Sequence, residues 1–264
     1  MDGARNTTLN AVDRLDPARA AALLATLGIT TRPPTTGEPL PPFAHHLYFW
    51  QAEPPASLGP DGHPAKVGLI PDLGLPRRMW AGGRLTFHTP LLAGIRAERR
   101  TQLVSITQKT GRSGQLGFVT LRHDIHQRGM IALTEEQDLV YRPADAEPAE
   151  PPQAPQDAEE TRQVTFDATM LFRYSALTFN GHRIHYDADY ARDVEGYPGL
   201  VIHGPLLAQH LMLMAQDRQG VLSRFAFRAT APLCLPEDAS LCARGGTYWV
   251  AAPDGRQCMI AEAG

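Results

Sequence analysis

The chain has 264 residues, 43% hydrophobic and 20% charged, with a formal net charge of −3. That is enough apolar chain for one large domain or two of ordinary size, and the lack of a basic excess excludes a nucleic-acid partner held by phosphate neutralisation. Cys234, Cys242 and Cys258 lack metal or disulfide spacing, no apolar run suffices for a membrane span, and no leader pattern opens the chain, so a cytoplasmic protein is expected.

Residues 1–15 are polar and read as frayed. Asp16 and Pro17 then form an N-cap and first helical position for a short Ala/Leu-rich helix over 18–27, stopped by Gly28. Residues 29–42, with Pro33, Pro34, Pro41 and Pro42, read as an extended connector. It leads into 43–51, FAHHLYFWQ, whose Leu47, Phe49 and Trp50 predict a first central helix. His45 and His46 in that segment have ligand chemistry but read as satisfied structural histidines. Residues 52–75 are rich in proline and glycine and predict a loop or lid long enough to be functional. Strand patterns follow over 83–90, 98–109, 116–125 and 130–141, with Thr110–Gly114 as a hairpin turn.

Residues 143–160 are rich in proline, alanine and acidic groups, have no apolar period, and read as an exposed linker between domains at 1–142 and 161–264. Beyond it the order repeats: a polar lead-in, an apolar helix over 204–218, and strands at 223–230, 239–244, 247–252 and 257–261. The phrase LTFHTPL at 85–91 is echoed by FRATAPL at 227–233, which points to a tandem duplication. Each half has too few strands to close on itself, so two sheets joined edge to edge would remove exposed edges.

Chemistry concentrates in FRYSALTFNGHRIHYD, 172–187, and GLVIHGPLL, 199–207. His182, His185 and His203 lie there with Asn180, Tyr174 and Asp187. Imidazole titrates near neutrality and can take a proton from water and return it elsewhere, although polar residues in a turn before a helix would give the same composition.

The spelling of these segments resembles the MaoC-like, R-specific enoyl-CoA hydratase family, whose motif runs roughly G-D-x-N-P-L/I-H and is followed by an H-G pair opening a central helix. With the final histidine on His185, the family aspartate falls on Asn180, its asparagine on His182, its proline on Arg183, and its H-G pair on His203 and Gly204. The wording TFNGHRIHYD, together with PRRMWAGGRLTFHTPL at 76–91, is closer to a divergent branch of hydroxyacyl-thioester dehydratases and mesaconyl-CoA or itaconyl-CoA hydratases.

The resemblance implies an α+β double hot-dog, two curved antiparallel sheets each wrapping a central helix, with the catalytic motif in the C-terminal half. It implies His185 as base and acid, the Gly204 N–H as oxyanion donor, and Asn180 as a group that aims water without titrating. Tyr174 or Asp187 would orient His185. His203 reads as a cap or packing residue on the substrate side, and the role of His182 stays open. Arg183 and Arg173 would meet a CoA phosphate or a substrate carboxylate, or be solvated. Nearly all basic residues are arginine, Lys66 and Lys109 being the lysines, which suits an acyl-CoA ligand or a GC-rich genome equally.

The activity implied is a CoA-thioester hydratase or dehydratase acting on a short branched dicarboxylate such as itaconyl-CoA or mesaconyl-CoA, in exchange with citramalyl-CoA. The alternatives are a 3-hydroxyacyl-thioester dehydratase of fatty acid synthesis and a non-hydrating hot-dog acyl-CoA binder or thioesterase. No cofactor or metal is expected beyond the CoA of the substrate, no nucleic acid or membrane is a partner, and a homo-oligomer is left open.

Overall fold

The computed structural model describes residues 7–65, 68–111, 114–143 and 150–264. In the N-terminal half, strand β1 (Thr8–Asp13) and helix α1 (Pro17–Thr26) precede strands β2 (Arg77–Phe87), β3 (Ala97–Gly111), β4 (Gly114–Gln127) and β5 (Met130–Arg142). The C-terminal half runs β6 (Glu160–Val164), α2 (Ala168–Thr178), α3 (Ala188–Asp193), α4 (Gly204–Gln219), β7 (Arg224–Ala229), β8 (Ala239–Arg244), β9 (Thr247–Ala251) and β10 (Gln257–Ala263).

All ten strands form one sheet in the order β1-β3-β4-β5-β2-β7-β10-β9-β8-β6, and every neighbouring pair is antiparallel. Read outward from the β2–β7 seam, the two halves have the same order, which is the duplicated, edge-joined architecture expected. Gly82 and Gly83 face Arg228 and Phe227 across the seam, and a Cβ on Gly82 would stand 2.5 Å from the Phe227 carbonyl oxygen. Only glycine lets the backbones approach so closely.

Helix α4 is buried nearly all round, by Leu206, Leu207, Ala208, Gln209, Leu211, Met212, Met214 and Ala215. A helix apolar on every side belongs in a core, and β7, β9 and β10 pack around it. Tyr248, Val250, Met259 and Ala261 join the core that contains Leu206 and Leu211.

The predicted first central helix is not one. Residues 44–47 form a single 3-10 turn, because Phe43 and Phe49 both adopt left-handed backbone, with φ of 67° and 60°. Its place in the fold is nonetheless the one expected. The Leu40 N–H donates to the Leu91 carbonyl at 2.8 Å, as the Ile202 N–H donates to that of Leu233 at 2.8 Å. The bridge Pro39–Leu92 likewise matches Val201–Cys234. Pro41 and Pro42 therefore stand where the other half has His203 and Gly204. Proline has no N–H, so the N-terminal half cannot present a backbone donor at that point.

Three other expectations change. Residues 8–13 are an ordered edge strand on β3, tied down by Asp13, whose carboxylate accepts N–H bonds from Leu15 (3.0 Å) and Phe49 (3.1 Å). The frayed reading otherwise falls on residues 1–6, and part of the hairpin turn on 112–113, both outside the described residues. Of the expected linker, 144–149 lie outside the described residues, whereas 150–160 pack on the C-terminal half. Gln153 bridges Arg256, Ala154 is buried against Cys242 and Trp249 on the sheet's outer face, and Glu160 begins β6. Finally, the polar lead-in to the motif contains a helix, α2, capped by Asp167, whose side chain accepts the Met170 N–H at 2.7 Å.

Because Leu211 is fully buried in α4 and Val221 is 89% exposed just beyond it, the two should respond differently to truncation. Leu211→Ala is expected to lower the unfolding free energy by about 2–5 kcal/mol, and Val221→Ala to stay within about 0.5 kcal/mol. Urea unfolding of the two variants measures both.

Candidate active site

Helix α2 ends where Phe179 turns left-handed (φ 53°), which throws the chain back into the histidine motif. Asn180 Oδ1 accepts the His182 N–H at 3.0 Å, a side-chain turn that opens the short 3-10 segment Arg183–His185. Asp187 then caps α3 by accepting the Tyr190 N–H at 3.0 Å.

His185 is carried inward by this turn and is buried. Its Nδ1 lies 2.7 Å from the Val201 carbonyl oxygen. A carbonyl can only accept, so Nδ1 carries the proton and Nε2 is left with a free lone pair. Val201 is itself fixed, its N–H donating to the Ile184 carbonyl at 2.9 Å. The His185 ring stacks on His203 with centroids 3.6 Å apart and planes 18° from parallel. His203 is fully buried at the N-cap of α4, and its Nε2 lies 2.8 Å from Ser175 Oγ. The stack thus places the His185 imidazole beside the start of α4.

At that start the Gly204 N–H has no acceptor among the described residues, and the space where a Gly204 side chain would project holds no atom within 4 Å. An unpaired N–H at the positive, buried end of a sixteen-residue helix suits a developing oxyanion, a helix terminus contributing up to ~2 kcal/mol.

Burial sets the charge state of these rings. It pushes His185 down to about 4, against the opposing pull of its bond to Val201, and holds His203 well below the usual imidazole value, helped by His185 and His182. His182 is pushed down to about 3 by burial and by His63 and His185 nearby. All three are neutral at pH 7, which is the state a general base needs.

The other expected site residues fall differently. Tyr174 is buried with its ring centroid 5.0 Å from that of His203, so it packs on His203 rather than orienting His185, a task that belongs to the Val201 carbonyl. Asp187 does not reach His185 either; besides capping α3 it binds Arg183, at 2.7 and 3.1 Å. Arg183 also donates to the Pro60 carbonyl at 3.1 Å and lies over the Tyr190 ring at 4.0 Å. That guanidinium is engaged in structure, so the expected ligand contact is not one the geometry supports. Arg173 faces solvent on α2, because the helical period that turns Leu171, Tyr174 and Ser175 inward turns Phe172 and Arg173 out.

Reading the sequence did not single out Arg78, at the start of β2 opposite Tyr141 of β5. Its positive charge helps keep both His63 and His182 unprotonated. His45 and His46 are satisfied structural histidines as expected, and what reading the sequence missed is the set of partners that satisfies them. Glu135 takes bonds from His45 Nε2 and His46 Nε2, both at 3.0 Å, and His123 on the adjoining strand pairs with Thr101 at 2.8 Å. His45, His46 and Glu135 have the chemistry to hold a metal, but their mutual hydrogen bonds already account for the grouping.

The site and sheet together define a MaoC-like double hot-dog. HtdX of Mycobacterium tuberculosis superposes with a TM-score of 0.69 at 19% identity, over 97% of this chain and 99% of that one. A second protein of that organism, described as a double hotdog fold, gives 0.61 at 14% identity over 97% and 94%.

The chain belongs to the hydroxyacyl-thioester dehydratase type 2 family, whose model matches residues 43–235. It is 48% identical over 224 residues to mesaconyl-C(4)-CoA hydratase of Chloroflexus aurantiacus, covering 82% of this chain and 79% of that protein. It is 29% identical over 241 residues to the mitochondrial hydroxyacyl-thioester dehydratase type 2 of Schizosaccharomyces pombe, covering 80% of each.

Burial lowers His185, His45 and His123 to about 4 in the folded chain, against 6.5 when exposed. The unfolded chain therefore binds more protons in this range. The stabilisation is complete above pH 6.5 and is lost as pH falls toward 4. Urea midpoints measured across this range are expected to drop with acidification; a midpoint flat down to pH 4 would contradict the assigned burial.

Proposed function

We propose that this protein is a CoA-thioester hydratase that adds water reversibly to a short branched dicarboxylate enoyl-CoA, mesaconyl-CoA or itaconyl-CoA in exchange with citramalyl-CoA. The observation that carries the reading is the His185 imidazole, pinned at Nδ1 by the Val201 carbonyl and set beside the unpaired Gly204 N–H. Membership of a dehydratase family and the 48% identity to a mesaconyl-C(4)-CoA hydratase support it.

In this reading His185 Nε2 takes a proton from water while the oxygen bonds to the β-carbon. The electron pair of the double bond moves toward the thioester, and the enolate oxygen that forms is held by the Gly204 N–H. A proton is then returned to the α-carbon. Asn180 cannot titrate near neutrality, and its Oδ1 is already engaged by the His182 N–H; its part is to hold the turn that delivers His185.

A distal carboxylate on the acyl group needs a cation, and in this reading Arg78, at the start of β2, is assigned that part. The general 3-hydroxyacyl-thioester dehydratase activity remains the second reading, favoured by the S. pombe relative. No cofactor beyond substrate CoA is part of the proposal, and the buried free thiols Cys234, Cys242 and Cys258 suit a cytoplasmic setting.

The purified protein should bleach the enoyl-thioester absorbance of mesaconyl-CoA or itaconyl-CoA without releasing free thiol. His185→Ala should cost about 100- to 10,000-fold in turnover with the fold intact; a variant within about tenfold of wild type would remove His185 from the chemistry. Arg78→Met should cost about 10- to 100-fold in kcat/KM for mesaconyl-CoA but little for crotonyl-CoA, the loss expected for one charged hydrogen bond. Equal losses on both substrates would dissociate Arg78 from the distal carboxylate.

A further inference from the structure

The proline- and glycine-rich stretch that the sequence marks as a lid folds over part of its length into a small hairpin. Leu58 bridges Pro64, the Gly59 N–H donates to the His63 carbonyl at 2.6 Å, and the Ala65 N–H to that of Ser57 at 2.9 Å. The hairpin comes from the N-terminal half and is clamped onto the histidine motif of the other half. The Arg183 N–H donates to the Asp61 carbonyl at 2.9 Å, and Gly62 meets Gly181 backbone to backbone. A Cβ on Gly62, whose φ is +85°, would lie 2.0 Å from the Gly181 carbonyl oxygen.

What the hairpin delivers is an acid–imidazole pair. Asp61 Oδ1 accepts the His63 backbone N–H at 3.0 Å, and Oδ2 lies 3.1 Å from His63 Nδ1. A carboxylate accepting at Nδ1 fixes the tautomer and leaves Nε2 free, as the Val201 carbonyl does for His185. The His63 ring centroid is 4.2 Å from that of His182, whose ring stands edge-on to His185 at 5.4 Å. Three imidazoles thus run from the lid to the base. Burial disfavours ionisation of Asp61, but the bonds from His63 prevail and bring it down to about 2, so a carboxylate is present to stabilise a charged His63.

We propose that His63, held by Asp61, is the second catalytic residue of this site, the one that returns the proton to the α-carbon. This rests on the hydratase reading above. His185 takes one proton from water as the hydroxyl bonds to the β-carbon. That proton is delivered to His63 Nε2, where the Asp61 carboxylate balances the imidazolium charge. His63 then donates it to the α-carbon of the enolate, the pair on the enolate forming the new C–H bond. One proton is removed and one returned, and every imidazole ends neutral.

The test uses the full chain and mesaconyl-CoA. His63→Gln is expected to lower kcat by about 100-fold or more with KM changed by less than about threefold and an unchanged thermal midpoint. The pH profile of kcat should lose the limb set by His63, a ring faced by Asp61 and His182. Asp61→Asn should fall the same way, and it carries the test if His63→Gln does not fold. Exchange of the α-proton of the hydrated product with deuterated water should slow in parallel.

If wild type hydrates mesaconyl-CoA while His63→Gln turns over within about threefold of it, the proposal is overturned and the hydratase reading stands. A loss confined to KM with the wild-type pH profile overturns it equally. If wild type hydrates no enoyl-CoA, the hydratase reading itself fails.

Discussion

The hydrogen bond from His185 Nδ1 to the Val201 carbonyl is the contact on which the site depends. It fixes which ring nitrogen is free, and it does so from a backbone group that cannot rotate away. Val201 is locked in turn by Ile184, and its neighbour Ile202 by the Leu233 carbonyl at 2.8 Å, in the connection between β7 and β8. The base is therefore referenced to the sheet through main chain alone. Its stack on His203 then ties it to the helix whose first N–H is unpaired. Burial supplies the remaining condition, neutrality, because it disfavours the charged form of each ring.

Duplication explains why one half carries the chemistry. The two halves share strand order, bridge and main-chain bonds at the corresponding corner, yet Pro41 and Pro42 stand where the C-terminal half has His203 and Gly204. Losing the N–H and the helix removes any oxyanion donor there. The freed segment has turned to other work. It carries His45 and His46 onto the buried Glu135, and further along it becomes the hairpin that covers the partner half's motif. Gln209 of α4 donates to the Pro42 carbonyl at 2.8 Å, so the central helix also anchors the segment that replaced its own counterpart.

The sequence displays the motif, the central helix and the repeat because each leaves a compositional mark: polar residues between apolar ones, a leucine-rich run, and an echo around Pro90 and Pro232. It hides what backbone decides. Nothing in FAHHLYFWQ announces left-handed residues at Phe43 and Phe49, and its aromatic density suggests a helix where a single turn forms. Arg173 and Arg183 look like free cations until the helical period turns the first outward and Asp187 with Pro60 engages the second. The loop at 52–75 is legible as one long enough to be functional, but its hold on the motif is not, since that consists of carbonyls and a glycine-on-glycine contact.

The tautomer of His185 can be read directly by nitrogen-15 NMR of the imidazoles in the intact protein. At pH 7 the ring should be neutral, protonated at Nδ1 and bare at Nε2, and should remain so as pH falls through 6.5 toward about 4. A ring protonated at Nε2, or an imidazolium already present at pH 7, would leave no lone pair to take a proton from water and would contradict the assignment of His185 as the base.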